Sequence, residues 1–325
     1  GAGGAGGEHP VDDVLVVHGS EPGTALRCSG WPWARLRAMT GHAYGGLPPD
    51  RHVHTEWSWD AEHGSMVATC ARALELGLRS VAFTDHADFT AWALVPGGEG
   101  VPAHLPDREI DGAFLPPPLD LEGYRASVEE CRARFSDLEI LFGVELSEPH
   151  WHPAEADDLL ARGGFDLVVG GMHSLAAGPQ RRLEVADGFL DQPADQVVRD
   201  YLAEVVGMVS SPGRFDTLAH IDYPIRRWPA SGGTYRPEDF EEEYRAVLRA
   251  LAASGRALEV NTRRPLEHQI VRWWWQEGGG AVTFGSDAHD PLKLAHGFAE
   301  AAAMVEAVGF RSGVHRHDFW LRHRQ

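Results

Sequence analysis

Nine residues of the 325-residue chain carry metal-binding side chains in short, similar motifs. His52 and His54 flank Val53 in RHVHT, and Asp60 follows in WSWD. His86 stands in TDHAD, Glu145 in FGVEL, His173 in GGMHS, His220 in LAHID, and Asp287 with His289 in GSDAH. On a strand, residues two apart point to the same side, so both imidazoles of HVH reach one ion. Neutral imidazole combined with carboxylate suits Zn, Mn or Fe. Nine such groups exceed what a single tetrahedral site can use. They fit two or three ions that share a bridging carboxylate. One HxH pair alone is more often a polar surface pair, and a lone His at a strand end is commonly a hydrogen-bonded core residue. The repetition of the pattern along the chain carries the metal reading.

The elements that must position these residues alternate. Short apolar or β-branched runs cover Arg51–His54, Ser80–His86, Glu139–Glu145, Asp166–His173, Asp216–His220, Ala257–Asn261 and Ala281–Asp287. Amphipathic helical segments are predicted at 61–77, 121–135, 153–162, 193–210, 237–254, 265–277 and 292–308. Strands alternating with helices imply βα units and a parallel sheet. Each run ends in a ligand-capable residue, as in a barrel whose strand ends converge on one site. An open doubly wound sheet is the alternative, and it would spread those ends along a line.

Two stretches interrupt the rhythm. Residues 87–120 are rich in Gly and Pro and too long for a simple connection, which suits a lid or binding loop. Residues 222–237 form a second such stretch. Residues 1–45 open with the low-complexity run GAGGAGGEHP and read as a flexible N-terminal extension outside the catalytic fold. Met39 is a candidate natural start within it. An ordinary N-terminal strand and loop packed on the core is the other reading. Residues 46–325 then form the catalytic domain.

The formal charge of −19 argues against nucleic acid as a partner, because phosphate backbones are bound by positive surfaces. No apolar run approaches the ~20 residues of a membrane span, and no basic-then-apolar signal peptide opens the chain. Three widely spaced Cys make neither a disulfide framework nor a Cys-type zinc site. An acidic, soluble, cytoplasmic protein is expected. Six of the 18 His are candidate ligands. The other twelve (9, 18, 42, 63, 104, 150, 152, 268, 296, 315, 317, 323) read as loop or surface residues, with His150 and His152 expected near the pocket mouth. The run Trp273–Trp275 cannot share one helix face, so at least one ring caps the core or lies at an interface.

HVHTEWSWD, FTDHADF, FGVEL, GGMHSL, AHIDYP, EVNT and TFGSDAH, in this order, resemble the PHP (polymerase and histidinol phosphatase) superfamily. The resemblance covers roughly residues 50–320 and is most similar to the histidinol-phosphate phosphatase branch. It implies an α/β fold, a distorted (β/α)7 TIM-like barrel with the metal site at the C-terminal ends of the strands. It also implies three ion sites. His52, His54, Glu145 and Asp287 would hold one, Glu145, His173 and His220 a second, and Asp60, His86 and His289 a third. Asp60 stands where many relatives carry His, and WSWDAEHG is bulkier than the small-residue versions of that segment.

The implied activity is hydrolysis of a phosphate monoester, L-histidinol phosphate in particular, within histidine biosynthesis. Such esters hydrolyse extremely slowly without a catalyst, and clustered divalent ions meet that demand. Glu145, Asp287 and His220 are the candidate catalytic groups, and Asp287 or His220 would handle protons. Arg226, Arg227 and Arg263 are candidate phosphate contacts, since a guanidinium offers a planar bidentate donor. Ser174 and Asn261 are further substrate-binding candidates, and Glu148 or Asp88 would meet a cationic head. The partner is a small phosphorylated metabolite. A PHP phosphoesterase for another metabolite and a non-catalytic PHP metal-binding module are the competing functions.

Overall fold

In the computed structural model the described residues are 46–313 and 319–323, and all belong to one compact unit. The N-terminal extension read over residues 1–45, with Met39, His9, His18 and His42, lies outside them, as do His315 and His317.

β1 (Asp50–Val53) is followed by α1 (Met66–Glu75) and β2 (Ser80–Phe83). Ser65 caps α1 by accepting the Ala68 amide, and Met66, Thr69, Cys70 and Ala73 repeat at helical spacing on its buried side. β3 (His86–Ala87) leads into an insert containing β4 (Trp92–Ala93), β5 (Glu109–Ile110) and β6 (Ala113–Phe114). α2 (Leu121–Arg134) starts at the Asp120 cap and buries Leu121, Tyr124, Val128 and Cys131. β7 (Glu139–Ser147), α3 (Pro153–Gly163) and β8 (Leu167–Gly171) come next, with Pro153 opening α3 at a position where its missing N–H costs nothing. A hairpin of β9 (Ser174–Ala176) and β10 (Arg182–Glu184) runs into the short α4 (Val185–Asp191). The chain continues through α5 (Ala194–Ser210), β11 (Thr217–Leu218), α6 (Glu241–Ser254), β12 (Ala257–Asn261), α7 (His268–Gln276), β13 (Ala281–Gly285) and α8 (Phe298–Val308). It finishes with β14 (Phe310–Arg311) and β15 (Trp320–Arg322).

The large sheet has the order β1-β2-β7-β8-β11-β12-β13-β15-β14, with β3 beside β7. Strands β1 through β13 along this path pair in parallel, and β15 and β14 add antiparallel at its end. The sheet is curled. Val53 forms a parallel bridge to Ala288, the His54 amide donates to the Ala288 carbonyl (2.9 Å), and the Asp287 amide donates to the His52 carbonyl (2.8 Å). The two ends of the parallel run therefore meet. Asp50 fastens that junction: one carboxylate oxygen accepts the Ser286 amide (3.0 Å) and the other the Ala295 amide (3.0 Å).

The main core lies between the sheet and its helices, including Phe83, Tyr124, Val144, Tyr201, Tyr244 and Phe284. A smaller cluster of Ala82, Leu167, Val169 and Ala219, with Leu141 and Phe319 against it, fills a separate space among the strands. Trp273 and Trp274 are both buried, although adjacent residues face different sides of a helix. α7 is packed by both α6 and α8, which leaves room for a tryptophan on each side. Among the described residues no helix is long and apolar enough to cross a membrane.

Candidate metal centre and its cavity

The curled sheet brings all nine predicted ligands to one place. His52 lies on β1 and His54 just past it, His86 begins β3, and Glu145 is near the end of β7. His173, His220, Asp287 and His289 follow the ends of β8, β11 and β13, and Asp60 sits in the turn after β1. Glu145 is at the centre. Its Oε2 lies 3.0 Å from His52 Nε2 and 3.3 Å from both His54 Nε2 and His86 Nδ1. Its Oε1 lies 2.8 Å from His220 Nε2 and 3.3 Å from His173 Nε2. Asp60 Oδ2 stands 2.8 Å from His289 Nε2 and 3.4 Å from His86 Nε2. Asp287 Oδ1 is 3.5 Å from both His54 Nε2 and His289 Nδ1.

Four sets of ligand atoms are close enough to surround a single ion: His52, His54 and Asp287; Glu145, His173 and His220; His54, Asp60, His86 and His289; and His86, Asp88 and His173. Two glycines make this density feasible. A Cβ on Gly171 would lie 2.6 Å from Glu145 Oε1, and one on Gly285 would collide with Glu259 and stand 2.6 Å from the His52 Cβ.

The imidazoles are aimed by partners behind them. Glu259 accepts from His52 Nδ1 at 2.7 Å, Ser58 faces His54 Nδ1 at 2.9 Å, and Ser147 faces His173 Nδ1 at 3.0 Å. A carboxylate behind His52 fixes the proton on Nδ1 and leaves a lone pair on Nε2. That lone pair points at His54 Nε2, 3.0 Å away, and at the Glu145 carboxylate. Two ring nitrogens and a carboxylate at that spacing repel unless a cation lies among them. Asp60 Oδ1, His86 Nδ1, Asp88 Oδ1 and His220 Nδ1 are buried without a hydrogen bond. The donor set and these unsatisfied atoms fit divalent metal ions.

The electrostatics agree. Burial alone would neutralise Glu145, but His52, His173 and His86 hold its carboxyl well below the usual range. Asp287 is likewise held well below, against burial, by Arg226, His52 and Arg263. Asp60 is held down by His86 and His289 in the same way. All three are therefore charged ligands. Burial pulls His220 down to about 4, so its ring is neutral with a lone pair to offer. His52 is pushed well above its ordinary value, because Glu145, Glu259 and Asp287 outweigh its burial, so its Nε2 calls for a positive partner, a proton or, in its place, an ion.

The centre forms one end of a cavity of ≈ 730 Å³ lined by Asp60, His86, Glu145, His173, Asp287 and His289. The predicted substrate contacts separate here. Arg226 and Arg263 line the cavity and both pair with Asp287, Arg263 at 3.2 Å. Arg227 also lines it but pairs with Glu99, 3.2 Å away. The Asn261 amide donates to Glu259 (3.0 Å) and its carbonyl accepts from Arg226 (3.3 Å), so it braces the site from behind. Ser174 Oγ accepts the Trp92 indole N–H (2.7 Å) and is not part of the cavity wall. Glu148 and Asp88 are buried; Glu148 accepts the His173 amide and Asp88 the Trp59 indole. His150 and His152 do not line the cavity, and burial pushes His150 down to about 4.

Sequence reasoning missed Glu259, Ser58 and Ser147. Glu259 carried a signal, since it shares a strand face with Asn261 two residues on. The short ALEVN run made it read as a generic strand position. Ser58 and Ser147 carried none beyond closeness to a ligand motif.

The chain is 24% identical over 272 residues to a histidinol-phosphatase of Lactococcus lactis, covering 80% of this chain and 91% of that protein. It is 27% identical over 280 residues to a probable histidinol-phosphatase of Deinococcus radiodurans, covering 82% and 96%. Its fold is similar to the crystal structure of the Lactococcus lactis histidinol phosphate phosphatase complexed with Zn, L-histidinol and phosphate. The TM-score is 0.67, with 23% identity over 81% of this chain and 94% of that one. It is also similar to a putative histidinol phosphatase of Listeria monocytogenes, with a TM-score of 0.61, 18% identity and coverage of 78% and 99%. The PHP domain model matches residues 50–263, and with the site those residues build, the chain belongs to the PHP domain family.

Proposed function

We propose that the chain is a metal-dependent phosphomonoesterase that hydrolyses L-histidinol phosphate to histidinol and phosphate. The observation that carries this reading is the convergence of nine ligand groups, with Glu145 at their centre, beside two arginines that share Asp287. The curl of the sheet supports reading the fold as a distorted (β/α)7 barrel formed by residues 46–325, with the ions at its C-terminal end. His52, His54, Glu145 and Asp287 would hold one ion, Glu145, His173 and His220 a second, and Asp60, His86 and His289 a third.

When bound, the ions supply an acidified water and neutralise charge on the phosphoryl oxygens. The rest is done by the chain. Glu145 presents Oε2 to His52 and His54 and Oε1 to His173 and His220, so it would contribute a ligand atom to each of the two sites those residues would build. A phosphate entering beside Asp287 meets the guanidiniums of Arg226 and Arg263, both already oriented toward that point. Asp287 is ionised and can accept a proton but has none to give. His220, neutral at working pH, serves as a lone-pair donor rather than as an acid.

The test is phosphate release from histidinol phosphate by protein loaded with Mn or Zn, beside His173→Ala. Turnover by the wild type, loss in the variant with its fold intact, and two to three ions per chain by elemental analysis are expected. Full activity of the variant, or activity of metal-free protein, overturns the mechanism. A second reading, a phosphoesterase for another small metabolite, is favoured by one feature. Trp59 brings a bulky aromatic wall into the cavity. An aryl phosphate hydrolysed as well as histidinol phosphate would favour that reading.

A further inference from the structure

Besides the candidate ligands, the cavity is lined by three further carboxylates, Glu99, Glu184 and Asp187. Glu99 is neutralised by Arg227. Glu184 and Asp187 are different: among the described residues neither forms an ion pair with a basic side chain. Glu184 accepts the Tyr223 hydroxyl at 3.0 Å and the Ala186 amide at 2.5 Å, and Asp187 accepts the Glu99 amide at 2.8 Å. A carboxylate has about four acceptor positions, so both retain capacity toward the cavity. Every other carboxylate lining the cavity faces an imidazole or a guanidinium.

The placement of Glu184 is fixed relative to the metal centre. The Tyr223 ring that carries its hydroxyl partner packs against His173 and His220, with centroids 5.0 and 4.9 Å apart. One phenol ring thus separates the carboxylate from two candidate ligands. A further part of the lining is aromatic: Trp59, Trp92 and Phe114 pack in tilted and edge-on contacts with centroids 5.2 to 5.7 Å apart. Trp59 and Trp92 are held by indole hydrogen bonds to Asp88 and Ser174. A ligand in this cavity meets the guanidiniums of Arg226 and Arg263, the carboxyl groups of Glu184 and Asp187, which pair with no basic side chain among the described residues, and the flat apolar rings of Trp59, Trp92 and Phe114.

We propose that Glu184, with Asp187 beside it, is a specificity subsite for the cationic head of the substrate, an ammonium or imidazolium group. The Trp59–Trp92 wall receives its flat, apolar part. This inference rests on the reading of the chain as a histidinol-phosphate phosphatase and names what would make it selective.

The experiment compares kcat/KM for histidinol phosphate and for phenyl phosphate, which lacks the cation, in metal-loaded wild type, Glu184→Gln and Asp187→Asn. Gln keeps a carbonyl oxygen for the Ala186 amide, and the melting temperature checks that each variant folds. A charge-assisted contact predicts a loss of about tenfold or more on histidinol phosphate, mostly in KM, with phenyl phosphate changed by less than about threefold. Calorimetric binding of histidinol itself should weaken in parallel. Equal losses on both esters, or no loss in either variant, overturn the subsite. A wild type that does not turn over histidinol phosphate fails the substrate reading instead, so the two failures are told apart by the protein in which they occur.

Discussion

The strand-end part of the cavity lining and the part supplied by the insert are built differently, and their glycines show it. At Gly171 and Gly285 a Cβ would collide with Glu145 or Glu259, so these positions are small because functional carboxylates occupy the space. In the insert, Gly97, Gly100 and Gly112 have nothing within 4 Å of an added Cβ but have φ between 71° and 80°. There glycine serves the backbone turn. The first wall is specified by side-chain contact across strands and has no slack. The second is specified largely by local turns, with Gly98 as the exception, where a Cβ would lie 2.5 Å from Asp187 Oδ1.

The sharpest way to break this comparison is Glu145→Gln. Removing the central charge from five imidazole contacts should lower turnover by at least about a thousandfold, since the ions contribute several kcal/mol. Phosphate release and metal content would both report it, and near-normal metal content would refute the central role of Glu145. Next is Glu259→Gln, which touches no substrate but frees His52. Outer-sphere partners of this kind are worth about 10–100-fold in metal affinity, measured by competition with a chelator. An unchanged affinity would mean that His52 is aimed without it.

Gly285→Ala and Gly112→Ala test the two walls directly. The first should weaken metal binding by displacing Glu259. The second should leave it intact and cost about 1 kcal/mol in denaturant unfolding, from its left-handed backbone. Similar metal affinities in the two variants would erase the distinction. The smallest effect concerns pH. Burial, aided by Asp187 and Glu99, pushes the Glu184 carboxyl up to about 7 from 4.5. With no cation beside that carboxyl, the folded protein therefore favours the proton. Its contribution to stability is complete below about 4.5 and is lost as pH rises through about 7. Melting temperatures of wild type and Glu184→Gln should diverge in favour of the variant between those values, and parallel curves would refute the burial.

The same contrast explains what was legible in the sequence. The HVH and SDAH motifs could be read because strand parity and metal chemistry act on fixed residue types. The run Glu139–Glu145 could be read as a strand for the same reason, although the strand extends to Ser147. The insert was read as a lid or binding loop without strands because β4, β5 and β6 are two residues each, too short for any periodicity. The β9–β10 hairpin and the seven-residue α4 were likewise passed over, and Glu184 went with them. Tertiary pairing, not local pattern, forms these elements. Arg226 and Arg263 were recognisable as cations, but their common partner Asp287 was not, since that pairing exists only once the sheet has curled.

The clasp at Asp50 bears on how the protein folds. It joins the first strand to Ser286 and Ala295 across sequence separations of 236 and 245 residues. His52 and His54 stand on one side of that junction, Asp287 and His289 on the other. A nascent chain cannot complete the cluster until the stretch from His52 to His289 has emerged, and closing so long a loop is entropically slow. An ion held by residues from both sides of the junction would latch the closed ring.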